Sequence, residues 1–189
     1  MSSTDNAARP NADNDPSVVP VMVPDQTADR QAWMDALAKA TPEAVAAGWK
    51  QVLSAVAANG GNADHLGFGH LRQPEFGLVM VRGRSGGTGD PFNLGEMTVT
   101  RCSIALDDGR IGHAWVGGRD KRHAETAALC DGLLQPAEPE NRTTTVWRQA
   151  IESELVGPLL AARAERHAAV RRKAAATKVE FFTMVRGED

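Results

Sequence analysis

The sequence predicts an α+β fold in which an antiparallel β-meander of about four strands packs against helices. Three observations support this prediction. Stretches with helical periodicity occupy both the N-terminal and the C-terminal parts of the chain. Between them, an alternating segment is followed by Asp108-Gly109, a pair that favours a tight hairpin and therefore an antiparallel return strand. A last apolar segment, 178–185, predicts a strand that joins the sheet.

Length and composition are those of one globular domain in the cytoplasm. The chain has 189 residues, 42% of them hydrophobic, which is enough for a core. Its net charge of −3 argues against a dedicated nucleic-acid-binding protein. No apolar run approaches the ~20 residues of a transmembrane helix, and no secretory signal is visible. Two cysteines form no disulfide framework, so a reducing compartment is expected.

The first 28 residues are expected to be a disordered tail, and residues 29–189 a single domain. Aspartate and proline dominate the tail, whose one apolar patch is Val18–Val23. Such a composition buries too little surface to offset the entropy of ordering the chain.

A helical hairpin is predicted to open the domain. Apolar spacing favours a first helix over about 29–40. Thr41 and Pro42 suit the N-cap and first residue of a second helix. Trp33 and Trp49 lie on the apolar stripes of these helices, so we expect them in the core and not as platforms for a base.

Three strands are predicted in the middle of the chain. A connector over 62–76 leads to a short, almost wholly apolar strand over 77–82. A glycine-rich loop then leads to a longer strand over 96–106, on which Cys102 shares a face with apolar residues and is expected in the core. The hairpin turn leads into the next strand, 111–116.

Helices follow this meander. Asp120 is a good N-cap for a helix over 121–134. Apolar residues recurring every four positions predict an amphipathic helix over 147–159, which Gly157-Pro158 should kink or split. The alanine-rich, basic stretch 160–176 continues as helix and is expected to be a solvated or partner-docking face.

The most unusual segment is the glycine-rich loop with its flanking arginines. Bare backbone amides form nests for anions, and arginine forks match phosphate or phosphonate oxygens. The loop is no nucleotide-binding P-loop, because the lysine is missing and a strand follows where a helix is needed. The alternative is a tight connection whose glycines only supply positive φ angles. The candidate anion, substrate or interface residues here are Arg82, Arg84, Gly86, Gly87, Gly89, Asn93 and Glu96.

A second group of polar residues lies on the following elements. Its members are Arg101, His113, Arg119, His123 and Glu125. The two histidines are ten residues apart, which is no recognised zinc spacing, so no metal site is expected. Arg101 lies among apolar strand residues, so its charge is expected to be paired, exposed or at an interface. Glu75 is a possible partner, whereas Glu96 lies on the opposite face of the strand.

Several long strings in the chain are distinctive enough to indicate a family. They are Pro74–Arg84, Gly86–Gly89, Pro91–Cys102, Gly112–Trp115, Gly118–Asp120, His123–Glu125 and Thr177–Glu188. Together they resemble the PhnG subunit family of the bacterial carbon–phosphorus lyase core complex, over roughly residues 30–188.

This resemblance implies a role in organophosphonate catabolism. With sister subunits, such a chain is required to form α-D-ribose 1-methylphosphonate 5-triphosphate from ATP and methylphosphonate, with release of adenine. The resemblance therefore implies a transferase complex that uses MgATP, a hetero-oligomer, and a chain that is inactive alone. It assigns the iron–sulfur cluster and S-adenosylmethionine to a partner subunit, and two isolated cysteines are too few for a cluster.

The resemblance identifies no catalytic residues, so two roles stay open. Because both reactants are anions, the chain could contribute its arginines and loop amides to a shared active site. Alternatively, it is a non-catalytic scaffold whose glycines and arginines contact other subunits. Neither nucleic acid nor a membrane is expected as a partner.

Overall fold

A computed structural model describes residues 27–62 and 66–177 and confirms the α+β class. Its elements are α1 (Thr27–Lys39), α2 (Pro42–Ala58), β1 (Phe68–Arg84), β2 (Pro91–Leu106), β3 (Ile111–Gly117), α3 (Lys121–Leu134), α4 (Arg142–Ile151) and α5 (Gly157–Ala176). The strands form one antiparallel sheet in the order β1-β2-β3. The expected count of about four strands is one too high for the described residues, because the segment 178–185 lies outside them, as do tail residues 1–26.

The helical hairpin forms as predicted, with small shifts at its ends. The Thr41 hydroxyl accepts a hydrogen bond from the Ala44 amide at 3.3 Å, which caps α2 ahead of Pro42. Trp33 and Trp49 both pack against the core, and the Trp49 ring stacks on Trp147 with centroids 5.9 Å apart. Both tryptophans are therefore structural, as the apolar stripes indicated.

The first strand is much longer than predicted. Residues 62–76 were expected to be a connector, but β1 begins at Phe68 and pairs with β2 along its whole length. Register shifts between His70 and Arg72 and between Arg72 and Glu75 interrupt the alternation of polar and apolar residues. The alternation in the sequence therefore does not predict this part of the strand. β2 likewise begins five residues earlier than expected, at Pro91.

One face of the sheet is covered by helix α3, and the core lies between them. Cys102, Ile104 and Leu106 of β2 are buried together with apolar residues of β3 and α3. The backbones approach closely at Gly112, where a Cβ atom would lie 2.7 Å from the Gly132 nitrogen. Any larger residue at this position would push the helix away from the sheet.

The predicted helix over 147–159 is instead three consecutive pieces. Asn141 and Thr144 form a reciprocal capping box that starts α4 upstream of the expected position. A π-helical segment, Glu152–Val156, then precedes α5, and the Gly157 amide donates to the Glu152 carbonyl five residues back. Because Pro158 has no N–H and its ring crowds the preceding turn, the helix widens at this point instead of breaking. In the described part of the chain, no helix combines the length and the apolar character needed to cross a membrane.

Candidate functional site

The glycine-rich loop lies at the far end of a two-stranded ribbon. β3 pairs with β2 from Val99 to Ala105, whereas β1 and β2 continue to pair beyond this point as far as Arg84 and Pro91. We call residues 77–98 the arm. The pairing places the loop at the tip of the arm, away from the helices that cover the rest of the sheet.

The tip is a tight connection that needs its glycines. Gly86 and Gly87 have φ angles of 59° and 81°, in the left-handed region. A Cβ atom on Gly89 would lie 2.7 Å from the Ser85 carbonyl oxygen. The Arg84 guanidinium donates to the Gly89 carbonyl at 3.2 Å and steadies the turn. Gly86 and Gly87 thus supply the positive φ angles of the tight-connection alternative, whereas Gly89 is required by a close backbone approach.

The polar side chains of the arm remain open to solvent. Arg82 is the register partner of Asn93, and Glu96 is the register partner of Met80. The side chains of Arg82, Asn93 and Glu96 are exposed, and so is that of Arg84. Within residues 27–62 and 66–177, neither Arg82 nor Arg84 forms an ion pair. The arm therefore presents two guanidinium groups that can bind an anion.

Arg101 lies apart from the tip, on the face of the sheet that no described helix covers. Its guanidinium contacts the Glu75 carboxylate at 2.8 Å and lies 5.5 Å from the centroid of the Trp115 ring. The expected pairing with Glu75 is therefore correct. Hydrogen bonds from Arg72 and from Arg101 lower the pKa of Glu75 below its usual value.

The remaining candidates are dispersed through the body of the fold. His123 is buried, and its Nε2 donates to the Leu37 carbonyl at 2.8 Å. The Glu125 carboxylate lies 2.7 Å from His70 Nε2. Arg119 stacks over the Phe76 ring at 5.3 Å. Each of these three residues therefore has a partner within the chain, and the structure does not bring them together as one cluster.

His113 has a partner that sequence reasoning missed. Its Nδ1 lies 2.9 Å from the hydroxyl of Ser103, its register partner on β2. The pair lies on the exposed face of the sheet. Ser103 is ten residues along β2 from Asn93, a separation of about 30 Å of strand. His113 therefore cannot serve a reaction at the tip of the same chain.

Neither a metal-ligating cluster nor an activated thiol is found among the described residues. No group of three or more histidine, cysteine or acidic residues is placed to hold a metal ion in those ranges. Cys102 and Cys130 are buried free thiols. Burial raises the pKa of Cys102 to about 11 and also raises the pKa of Cys130. Neither thiol is therefore an activated nucleophile at neutral pH.

Sequence reasoning also missed a buried carboxylate, Asp131 of α3. It accepts hydrogen bonds from the Arg30 side chain at 2.7 and 3.0 Å, from Trp33 Nε1 at 3.0 Å and from the His113 amide at 2.9 Å. These bonds tie α1 and β3 to α3. The only sequence signal was an acidic residue next to Cys130 on the inward face of a predicted helix.

An apolar groove lies between α1 and β3. It has a volume of about 630 Å³ and is lined mainly by Ala28, Ala32, Leu37, Ala114 and Val116. Its lining includes no arginine, and it lies beside β3, away from the arm. The groove and the glycine-rich tip are therefore separate features of the molecule.

Comparison with known proteins places the whole described fold in one family. Residues 28–187 match the family described as phosphonate metabolism protein PhnG. A protein of Rhizobium meliloti (strain 1021), named alpha-D-ribose 1-methylphosphonate 5-triphosphate synthase subunit PhnG, is 48% identical over 122 residues. That alignment covers 63% of this chain and 70% of the relative.

Proposed function

Because the chain belongs to the PhnG family of phosphonate metabolism proteins, we propose that it is one subunit of an α-D-ribose 1-methylphosphonate 5-triphosphate synthase. The name of the Rhizobium meliloti relative supports this proposal. In the reaction, a phosphonate oxygen bonds to the ribose carbon of ATP that carries adenine, the bond from that carbon to adenine breaks, and adenine leaves. The substrates are MgATP and methylphosphonate, and the chain is inactive without its sister subunits.

The observation that carries a direct role in this reaction is the pair of exposed guanidinium groups on the arm. ATP and methylphosphonate are both anions, and arginine matches their oxygens with two parallel hydrogen bonds. Arg82 and Arg84 are exposed and form no ion pair in the described residues. We therefore assign them to contact the phosphate or phosphonate groups.

The arm supplies only part of an active site. Among the described residues no histidine lies beside the tip, and both cysteines are buried in the body. The arm itself supplies two exposed carboxylates, Asp90 and Glu96. We propose that any histidine and the further orienting groups come from a sister subunit that closes over the tip. We assign any iron–sulfur cluster and S-adenosylmethionine to a partner subunit, because two buried thiols cannot ligate a cluster.

The test is arginine replacement in the assembled complex. The chain is co-expressed with the other core subunits of its host, and adenine release from ATP and methylphosphonate is measured. We expect Arg82→Ala and Arg84→Ala to assemble normally and to lose at least about tenfold in turnover, since each removes a charge-assisted contact. Arg171→Ala, an exposed arginine of α5, is the matched control and should retain activity. Normal turnover in both arm variants would contradict the assignment.

The dispersal of the remaining candidates supports a second function, that of a non-catalytic scaffold. His123 and Glu125 are engaged within the fold, and about 30 Å of strand separates His113 from the tip. A scaffold predicts that tip substitutions reduce the amount of complex, while each assembled complex keeps its full rate. Activity must therefore be expressed per assembled complex, which separates the two functions.

A further inference from the structure

The arm exposes more apolar surface than a solvated ribbon normally carries. Between 45% and 66% of each of five large apolar residues is exposed: Leu78, Met80, Phe92, Leu94 and Met97. Phe76, at the base of the arm, is 54% exposed. Large apolar side chains exposed together on one element indicate an interaction site on a soluble protein.

Apolar residues occupy both faces of the arm. Leu78 and Met80 are paired with Thr98 and Glu96, on the face that is continuous with the buried Thr100. Met97 is the register partner of Val79 on the opposite face. Gly83 alternates onto the same face as Val79. A Cβ atom on Gly83 would lie 3.6 Å from the Phe92 ring and 3.9 Å from the Leu94 Cβ. Phe92 and Leu94 therefore belong to the second face, with Met97. An occupant that touches one face alone would therefore leave the other face in water.

Both edges of the arm are also open along most of their length in the described structure. β1 is an outer strand of the sheet, and the pairing of β2 with β3 ends at Val99. Beyond Val99, the Thr98 carbonyl still accepts a hydrogen bond from the Gly118 amide at 2.9 Å. A two-stranded ribbon without a covering layer is marginally stable in water, and open edges pair readily with other chains. The arm therefore has the properties of an element that completes its packing on another molecule.

We propose that the arm inserts into an apolar-walled cleft of a different subunit of the synthase, an inference that rests on the proposed function. A cleft covers both faces at once, whereas a second copy of this chain, packed by symmetry through one face or one edge, leaves the other face exposed. The arm carries two basic residues, Arg82 and Arg84, and two acidic residues, Asp90 and Glu96, so charge attraction does not drive the insertion. Contacts with the apolar walls of the cleft therefore supply the binding affinity of the arm. Arg82 and Arg84, near the tip, then reach the active site beyond the cleft.

The first experiment changes each face of the arm separately. The full chain is co-expressed with the core subunits of its host as wild type, as Leu78→Asp/Met80→Asp and as Phe92→Asp/Leu94→Asp. We expect each double variant to reduce co-purification at least tenfold. Val170→Asp is the matched control, because Val170 is 65% exposed but lies on α5, away from the arm. Co-purification of both double variants at wild-type stoichiometry would overturn the inference and leave the proposed function intact.

A second measurement does not depend on how well the aspartate variants fold. A photo-crosslinking residue is placed at position 78, 94 or 170 of the co-expressed chain. Crosslinks from 78 and from 94 to the same sister subunit, with none from 170, support insertion into one cleft. Crosslinks from 78 and 94 only to a second copy of this chain would overturn it. If the wild-type chain joins no core subunit at all, the proposed function fails, and the inference fails with it.

Discussion

The same two strands have different surroundings in the body of the sheet and in the arm. In the body, β2 is paired with β1 on one side and with β3 on the other, and α3 covers one face of the sheet. Cys102 and Ile104 of β2 are at most 1% exposed there. In the arm, the antiparallel ladder continues, but Leu78 is 64% exposed. The pairing of β1 with β2 is therefore common to both regions, whereas the third strand and the covering helix are present only in the body. The difference indicates that the body stabilises the fold of this chain, whereas the arm is available for binding to another protein chain.

The largest expected effect concerns Asp131, which joins three elements of the body. Asp131→Ala removes the acceptor for Arg30, Trp33 and the His113 amide, and leaves these donors without their partner. The Arg30 side chain is 35% exposed, but Trp33 Nε1 and the His113 amide also lose their acceptor. We therefore expect the free energy of unfolding to fall by about 3–5 kcal/mol in total. Chemical denaturation of the co-purified or isolated chain measures it.

Asp90→Ala, at an exposed carboxylate beside the arm tip, is the control for Asp131 and should leave stability nearly unchanged. If the two alanine variants were equally stable, the hydrogen bonds of Asp131 would not hold the body together.

A matched pair of truncations tests the comparison directly. Ile104→Ala removes a fully buried side chain from β2 and should cost about 2–5 kcal/mol of unfolding free energy. Leu78→Ala shortens an exposed side chain of the arm and should cost less than about 0.5 kcal/mol in the isolated chain. Denaturant midpoints of both variants measure the difference. Equal costs would mean that the arm is packed within this chain, contrary to the structure.

The smallest expected effect lies at Glu75, beside the base of the arm. Its pKa is lowered by Arg72 and Arg101, so its contribution to stability is fully present above the ordinary carboxyl value. This contribution is lost as the pH falls through the lowered pKa. We therefore expect Glu75→Gln to shift the unfolding midpoint slightly at pH 7 and not at all at pH 2. A larger shift at the lower pH would contradict this sign.

Sequence patterns located the helices of the hairpin and α3 well. α3 runs from Lys121 to Leu134 as expected, and the Asp120 carboxylate caps it by accepting from the His123 amide at 2.9 Å. The Asp-Gly turn and the strand after it were also found. These elements carry their signals within a few neighbouring residues, through caps, turn pairs and spacing.

The candidate site was only partly predictable. The anion-binding interpretation of the loop rested on its arginines and glycines, which the structure does bring together at the tip. The sequence grouped His113, His123 and Glu125 because they are close along the chain. In the fold, they face a strand partner, the core and His70, respectively. Side chains that are close along the sequence need not point the same way when one lies on a strand and the next lies on a helix.

By itself, the sequence determined the class of the fold, most of its elements and the family. Only the tertiary structure decided that the strand around Leu78 is an uncovered arm, because burial depends on which elements lie above a strand and not on its own residues. Only the tertiary structure paired Asp131 with Arg30, about a hundred residues earlier. In the structure, a π-helical segment also stands where the sequence predicted a kink or break at Gly157-Pro158. Neighbouring residues determine where helices, strands and turns form. Contacts between residues distant in sequence determine which side chains are exposed, and only exposed side chains can bind a partner.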